Sequence, residues 1–209
     1  MKKYLDVDFE LEELLMQNGL IEDYFFLQDL KQRRLFCVSA IEDGVIAGLV
    51  RHIFQYNKED KDIPEEEREP IILYMNSAGG SVDAGYQLID AILSSKTPIY
   101  TVNIGCWYSM ALLIGIAGHK RFALKNAKFL MHDGAGLVYD SSAKLQDKLE
   151  FNKKLEERTR DYILEHTKLT VEEYDSKYRV EWYMFPEEAK EKGFVDFIVG
   201  EDCEIDEII

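Results

Sequence analysis

Cysteine is scarce in this 209-residue chain, and the three present, Cys37, Cys106 and Cys203, are odd in number and widely spaced. They make neither a disulfide framework nor a paired metal motif, so a reducing cytoplasmic setting is the expectation. Four histidines without an HExxH or comparable ligand spacing argue against a metal site. Positive charge is also short. Against 40 Asp and Glu stand 25 Lys and Arg, a formal net charge of −15, whereas a nucleic-acid surface needs a basic stripe. No apolar run approaches the roughly 20 residues that cross a bilayer; the longest surrounds Met110 to Ala117. Acidic residues follow Lys2 and Lys3 at once, without a secretory apolar region. Neither GxGxxG nor a Gly-Lys-Ser/Thr ending occurs beside the glycine-rich turn, which disfavours nucleotide binding. Internal repeats and low-complexity linkers are missing as well.

What remains is enough for one domain with a sizeable core, since 46% of the residues are hydrophobic. The N-terminal pattern of Phe9, Leu11, Leu14 and Leu15 predicts an amphipathic helix stopped at Asn18-Gly19. It can pack on its own domain or on a neighbouring subunit. Arg34 to Ser39 reads as a strand and Asp43 to Asn57 as a helix. Lys58 to Glu69 is a surface loop by composition. Ile71 to Met75 reads as a strand buried on both faces. Asn76 to Ser81 is a glycine-rich turn, and the helix Val82 to Leu93 follows, with its apolar face placed at Val82, Tyr86, Ile89 and Leu93. Ile99 to Ile104 is the next strand, ending at Gly105. A helix then runs from Ser109 towards Gly118, and two short strands follow, Arg121 to Leu124 and Lys128 to Met131. This alternation predicts right-handed crossovers and a mostly parallel sheet.

Ser141 to Glu165 is one helix of about seven turns, long enough to lie along an interface with another copy. Thr170-Val171-Glu172-Glu173 has the form of a capping box. Pro186 opens a short helix stopped by Gly193, Phe194 to Val199 is the last strand, and the acidic end is expected to be mobile.

Reactive groups in such sheets gather beyond the carboxyl ends of the strands, and Gly80, Ser109 and His132 all follow strand ends. A serine between a buried strand and a helix is well placed for attack, although such a serine is more often only a cap. His132, before the Gly134-Ala135-Gly136 loop, is either a general base or a polar loop residue.

Six segments together resemble the ClpP family of serine peptidases over roughly residues 24–200. Leu73-Tyr74-Met75-Asn76-Ser77-Ala78-Gly79-Gly80-Ser81 is similar to LYINSPGGSV, and Gly105 to Ala111, containing Ser109-Met110, to GQAASMG. Met131-His132 is similar to MIHQP and Lys120 to Asn126 to KRFALPN. His166-Thr167 and Glu187 to Asp196 are similar to HTG and EEAxEYGLID. The resemblance implies an α/β fold, a crotonase/ClpP-like spiral of repeated β-β-α units with a protruding long helix and an N-terminal helical appendage. Residues 1–23 would be the appendage, 24–200 the peptidase domain and 201–209 the acidic tail.

Carried over by position, the resemblance makes Ser109 the nucleophile and His132 the base, with the Gly80 and Met110 amides as the oxyanion hole and Glu181 as the third member. It implies no cofactor and no metal. The implied partners are copies of the chain in two stacked heptameric rings, an AAA+ unfoldase ATPase, and unfolded polypeptide substrates, with no nucleic acid and no membrane. The pattern departs from the family in four places. Glu181 and Tyr183 replace Asp and Phe, Ala78 replaces a proline, Asp133-Gly134 replaces Gln-Pro, and Cys106-Trp107-Tyr108 replaces Gln-Ala-Ala. Glu181 and Trp107-Tyr108 motivate an alternative, a non-catalytic ring subunit beside an active paralogue. An acyl-CoA enzyme of the crotonase type is the remoter rival, because the serine and histidine motifs fit it poorly.

Overall fold

The apolar run at Ile71 becomes the spine of a parallel sheet. The computed structural model describes residues 14, 16–134, 142–177 and 179–209. In chain order the helices are α1 (Ile21–Lys31), α2 (Asp43–Glu59), α3 (Val82–Leu93), α4 (Met110–Ile116), α5 (Ser142–His166), α6 (Val171–Lys177) and α7 (Pro186–Glu191). The strands are β1 (Arg34–Cys37), β2 (Ile71–Ser77), β3 (Ile99–Tyr108), β4 (Lys120–Leu124), β5 (Lys128–Met131), β6 (Trp182–Met184) and β7 (Phe197–Val199). Strands β1-β2-β3-β4-β7 pair in that order, all parallel, while β5 pairs in parallel with β3 and antiparallel with β6. The expected mostly parallel α/β architecture is therefore present.

One strand ties the two parts of the sheet together. β3 does not stop at Ile104. Its first half, Tyr100 to Asn103, lies beside β4, and its second half, Cys106 to Tyr108, lies beside β5. Gly105 does not end the strand; it makes room, since a Cβ there would come within 2.4 Å of the Asn76 Oδ1. That oxygen accepts the Cys106 N–H at 3.0 Å, beside an irregularity in the β2–β3 register between Met75 and Ser77.

Alternate residues of β2 face two cores, as strand geometry requires. Ile71, Leu73 and Met75 join the large core under the helices, while Ile72 and Tyr74 join a smaller one with Val102, Phe122 and Val199. Here the expected mobile tail is corrected. Cys203 and Ile208 are buried in the smaller core, and the Tyr74 hydroxyl donates to the Ile208 carbonyl. The aliphatic residues interleaved with the acids supply the apolar contact that composition alone conceals.

Other readings shift in detail. α3 has the expected bounds, but it buries Ala84, Gly85, Leu88, Ile89 and Ile92, leaving Val82 and Leu93 exposed. Gly85 lets the Met110 side chain approach, and that contact sets the buried face. The loop after α2 holds Asp60, only 1% exposed, in a two-point ion pair with Arg33. β7 begins at Phe197, one residue after Asp196, whose carboxylate takes the Arg121 guanidinium while its N–H donates to the Arg121 carbonyl at 2.8 Å. α1 was not foreseen. Gly19 sits at φ 71 and ends the helical turn before it, but Phe9, Leu11 and Leu15 lie outside the described residues. The capping box is present in full, with Thr170 N–H on Glu173 Oε2 at 3.1 Å and Glu173 N–H on Thr170 Oγ1 at 3.2 Å.

Candidate active site

β3 delivers Ser109. Tyr108 pairs with Leu130, and the Ser109 N–H donates to the Leu130 carbonyl at 3.0 Å. To enter α4 in the next residue the chain takes φ 54, ψ −125 at Ser109. A non-glycine residue there carries strain on the order of 1–3 kcal/mol, which persists only where neighbours over-determine it. The capping reading fails on geometry: the Ser109 side chain accepts no capping hydrogen bond. Ser81, by contrast, caps α3 through Ala84 N–H at 3.2 Å. The Ser109 hydroxyl is thus presented on a strained strand-to-helix elbow, an arrangement that suits a nucleophile.

The glycine turn presses on this elbow. Gly79 has φ 96, and a Cβ on it would lie 2.8 Å from the Ser109 Cβ, 2.8 Å from the Tyr108 carbonyl oxygen and 3.1 Å from the Met110 nitrogen. Gly80, at φ 151, is bridged to Ile41, whose N–H donates to the Gly79 carbonyl while its own carbonyl takes the Ser81 N–H. The glycine turn and the Met110 amide are therefore close neighbours.

Ser109, Met110 and His132 line one cavity of about 440 Å³. Gly80 is not part of its lining, although Ser81 is. β5 brings His132 to this cavity, because it runs beside the end of β3 and His132 lies two residues beyond Leu130. The facing wall was missed in the sequence. Phe151, Leu155, Thr159 and Ile163, four residues apart on α5, all line it, and that i, i+4 spacing was the available signal. Thr159 also shares a hydrogen bond with the Tyr86 hydroxyl at 2.7 Å, which ties α5 to α3. Asp83, Asp133 and Glu156 add carboxylates to the lining.

Trp107 is fully buried, edge-on to Phe129 and against Gly115, and lies in the core rather than in the cavity. Tyr108 packs edge-on against Tyr183, ring centroids 5.9 Å apart. The two aromatics beside the serine therefore leave the cavity open. Glu181 is exposed and outside the cavity lining, with its Oε2 accepting the Tyr183 hydroxyl at 3.3 Å. Among the described residues no group of three or more His, Cys, Asp or Glu is placed to hold a metal ion.

A family model described as Clp protease matches residues 21–202. Among curated proteins, the ATP-dependent Clp protease proteolytic subunit 1 of Frankia casuarinae is 29% identical over 180 residues, 85% of this chain and 82% of that protein. Among solved structures, a ClpP1 mutant from Listeria monocytogenes matches with a TM-score of 0.73 and 22% identity, over 87% of this chain and 98% of that one. The last is a likeness of fold.

Proposed function

The chain belongs to the Clp protease family, and on that premise we propose that it is a serine endopeptidase subunit hydrolysing peptide bonds of unfolded polypeptides. The observation that carries the reading is the strained, uncapped Ser109 on a cavity shared with His132. In this mechanism the Ser109 Oγ attacks the scissile carbonyl carbon while His132 takes its proton. The Gly80 and Met110 main-chain N–H groups stabilise the tetrahedral oxyanion. His132 then protonates the leaving amine, the C–N bond breaks and an acyl-enzyme remains. Water, deprotonated by His132, attacks the ester and releases the carboxylic acid with restoration of Ser109. Glu181 orients His132 and balances the imidazolium.

The subunit would work in two stacked heptameric rings in the cytoplasm, fed by an AAA+ unfoldase ATPase. α5 is the candidate contact between copies, since Leu149 and Phe151 are half or more exposed on it. Labelling of the purified chain by a fluorophosphonate probe, lost in Ser109→Ala, tests the chemistry; persistent labelling of that variant overturns it.

A second reading rests on Glu181, whose carboxylate meets Tyr183 and lies outside the cavity lining. A chain with an unoriented histidine would serve as a non-catalytic ring subunit beside an active paralogue. Turnover of a fluorogenic peptide by the purified chain separates the two.

A further inference from the structure

β6 turns Trp182 and Met184 inward and Tyr183 outward. Glu181, two residues before Tyr183, belongs to the same side of the strand by alternation. The antiparallel ladder pairs Leu130 with Tyr183 and Met131 with Trp182. Carried one residue further, this register sets His132 across from Glu181, the relation in which side chains of neighbouring strands meet. Tyr183 makes two contacts there: its hydroxyl donates to Glu181 at 3.3 Å, and its ring packs edge-on against Tyr108, the residue before Ser109.

We propose that Tyr183 is a positioning residue that holds the Glu181 carboxylate in place for His132, so that Glu181 and Tyr183 act as a pair. A glutamate has one more rotatable bond than an aspartate, and an exposed one is free to swing. A hydroxyl anchored through its ring to the nucleophile's own strand removes that freedom. The charge of Glu181, with a smaller contribution from burial, raises the Tyr183 pKa, so the phenol stays protonated and able to donate. The inference rests on the Ser109–His132 reading and adds an accessory requirement to it.

The test is a two-by-two set in the full chain: parent, Tyr183→Phe, Glu181→Asp, and both together. Peptide hydrolysis is followed across pH, and the His132 ring resonances are read by NMR with labelled histidine. With Glu181 present, loss of the hydroxyl should lower kcat about fivefold, the scale of one hydrogen bond, and leave KM unchanged. It should also shift the His132 ring resonances in that series, because a displaced carboxylate no longer faces the imidazole. With aspartate at position 181, which is too short to need the restraint, removing the hydroxyl should change neither quantity. Equal effects in both backgrounds, or no effect with Glu181, would overturn the pairing. If no variant turns over peptide and Ser109 takes no probe, the peptidase reading fails separately, and the His132 resonances still decide the pairing. Unmoved resonances in Tyr183→Phe then refute it.

Discussion

Gly79 and Ser109 are in contact so close that a methyl group on the first would stand 2.8 Å from the Cβ of the second. Both have positive φ, 96 and 54, and each helps to keep the other there. Gly79→Ala therefore meets two obstacles at once, a left-handed backbone and backbone atoms that cannot move aside. It should destabilise the chain by on the order of 2 kcal/mol and lower hydrolysis by more than its effect on folding explains. Denaturant melts set beside probe labelling of Ser109 check both parts.

Ser109→Ala and His132→Ala should each reduce peptide hydrolysis by at least about 10³-fold, since members of one catalytic unit fail together. The double variant should be little worse than either single one. The Ser109 hydroxyl caps no helix, so Ser109→Ala should melt within a few degrees of the parent by calorimetry.

Asp60 sets an acid limit on stability. Burial pushes its pKa up, but hydrogen bonds from Arg33 and Thr97 outweigh that and hold it below the ordinary aspartate value. The folded value being depressed, the stabilisation is complete above the unfolded value of about 3.9 and disappears as pH falls through the folded one. Arg33 itself has φ 57, and its two 2.6 Å bonds to Asp60 fasten that turn. Asp60→Ala leaves the guanidinium half-sheltered without its partner and should cost about 3 kcal/mol at neutral pH. Its denaturation profile should also be flatter below pH 4 or so than the parent's.

The C-terminal residues should behave as part of the core. Ile208 is 3% exposed, and Ile208→Ala should cost about 2 kcal/mol. Removing residues 203–209 should cost more and expose Ile72, Tyr74 and Phe122 to a hydrophobic dye. Unchanged melting in both variants would return the tail to the mobile class.

Local signals were most readable where they were most local. The capping box at Thr170, the proline start of α7, the bounds of α3 and the strands at Ile71 and Lys128 follow from residues a few positions apart. The errors have a common origin in contacts from elsewhere in the chain. Gly105 looks like a strand end until Asn76 fills the space a side chain would occupy. Val82 and Leu93 look like a buried face until Met110 selects Gly85. An acidic tail looks solvated until Ile208 reaches Tyr74.

The same division holds at the site. The order of motifs along the chain singles out Ser109, His132 and the glycine turn, because chemistry that needs a nucleophile, a base and free amides leaves those residue types at strand ends. Nothing in the residues next to Glu181 marks it, and its relation to His132 depends on the register of β6 on β5. By itself the sequence determined the succession of strands and helices, α1 and β6 excepted, and the candidates at their ends, since periodicity, glycine and proline act over a few residues. Only the tertiary structure decided that Ser109 is an elbow and not a cap, that Trp107 is core, and that α5 walls the cavity. Each of those depends on which distant atoms occupy the neighbouring space, and close packing allows only one of them to be there.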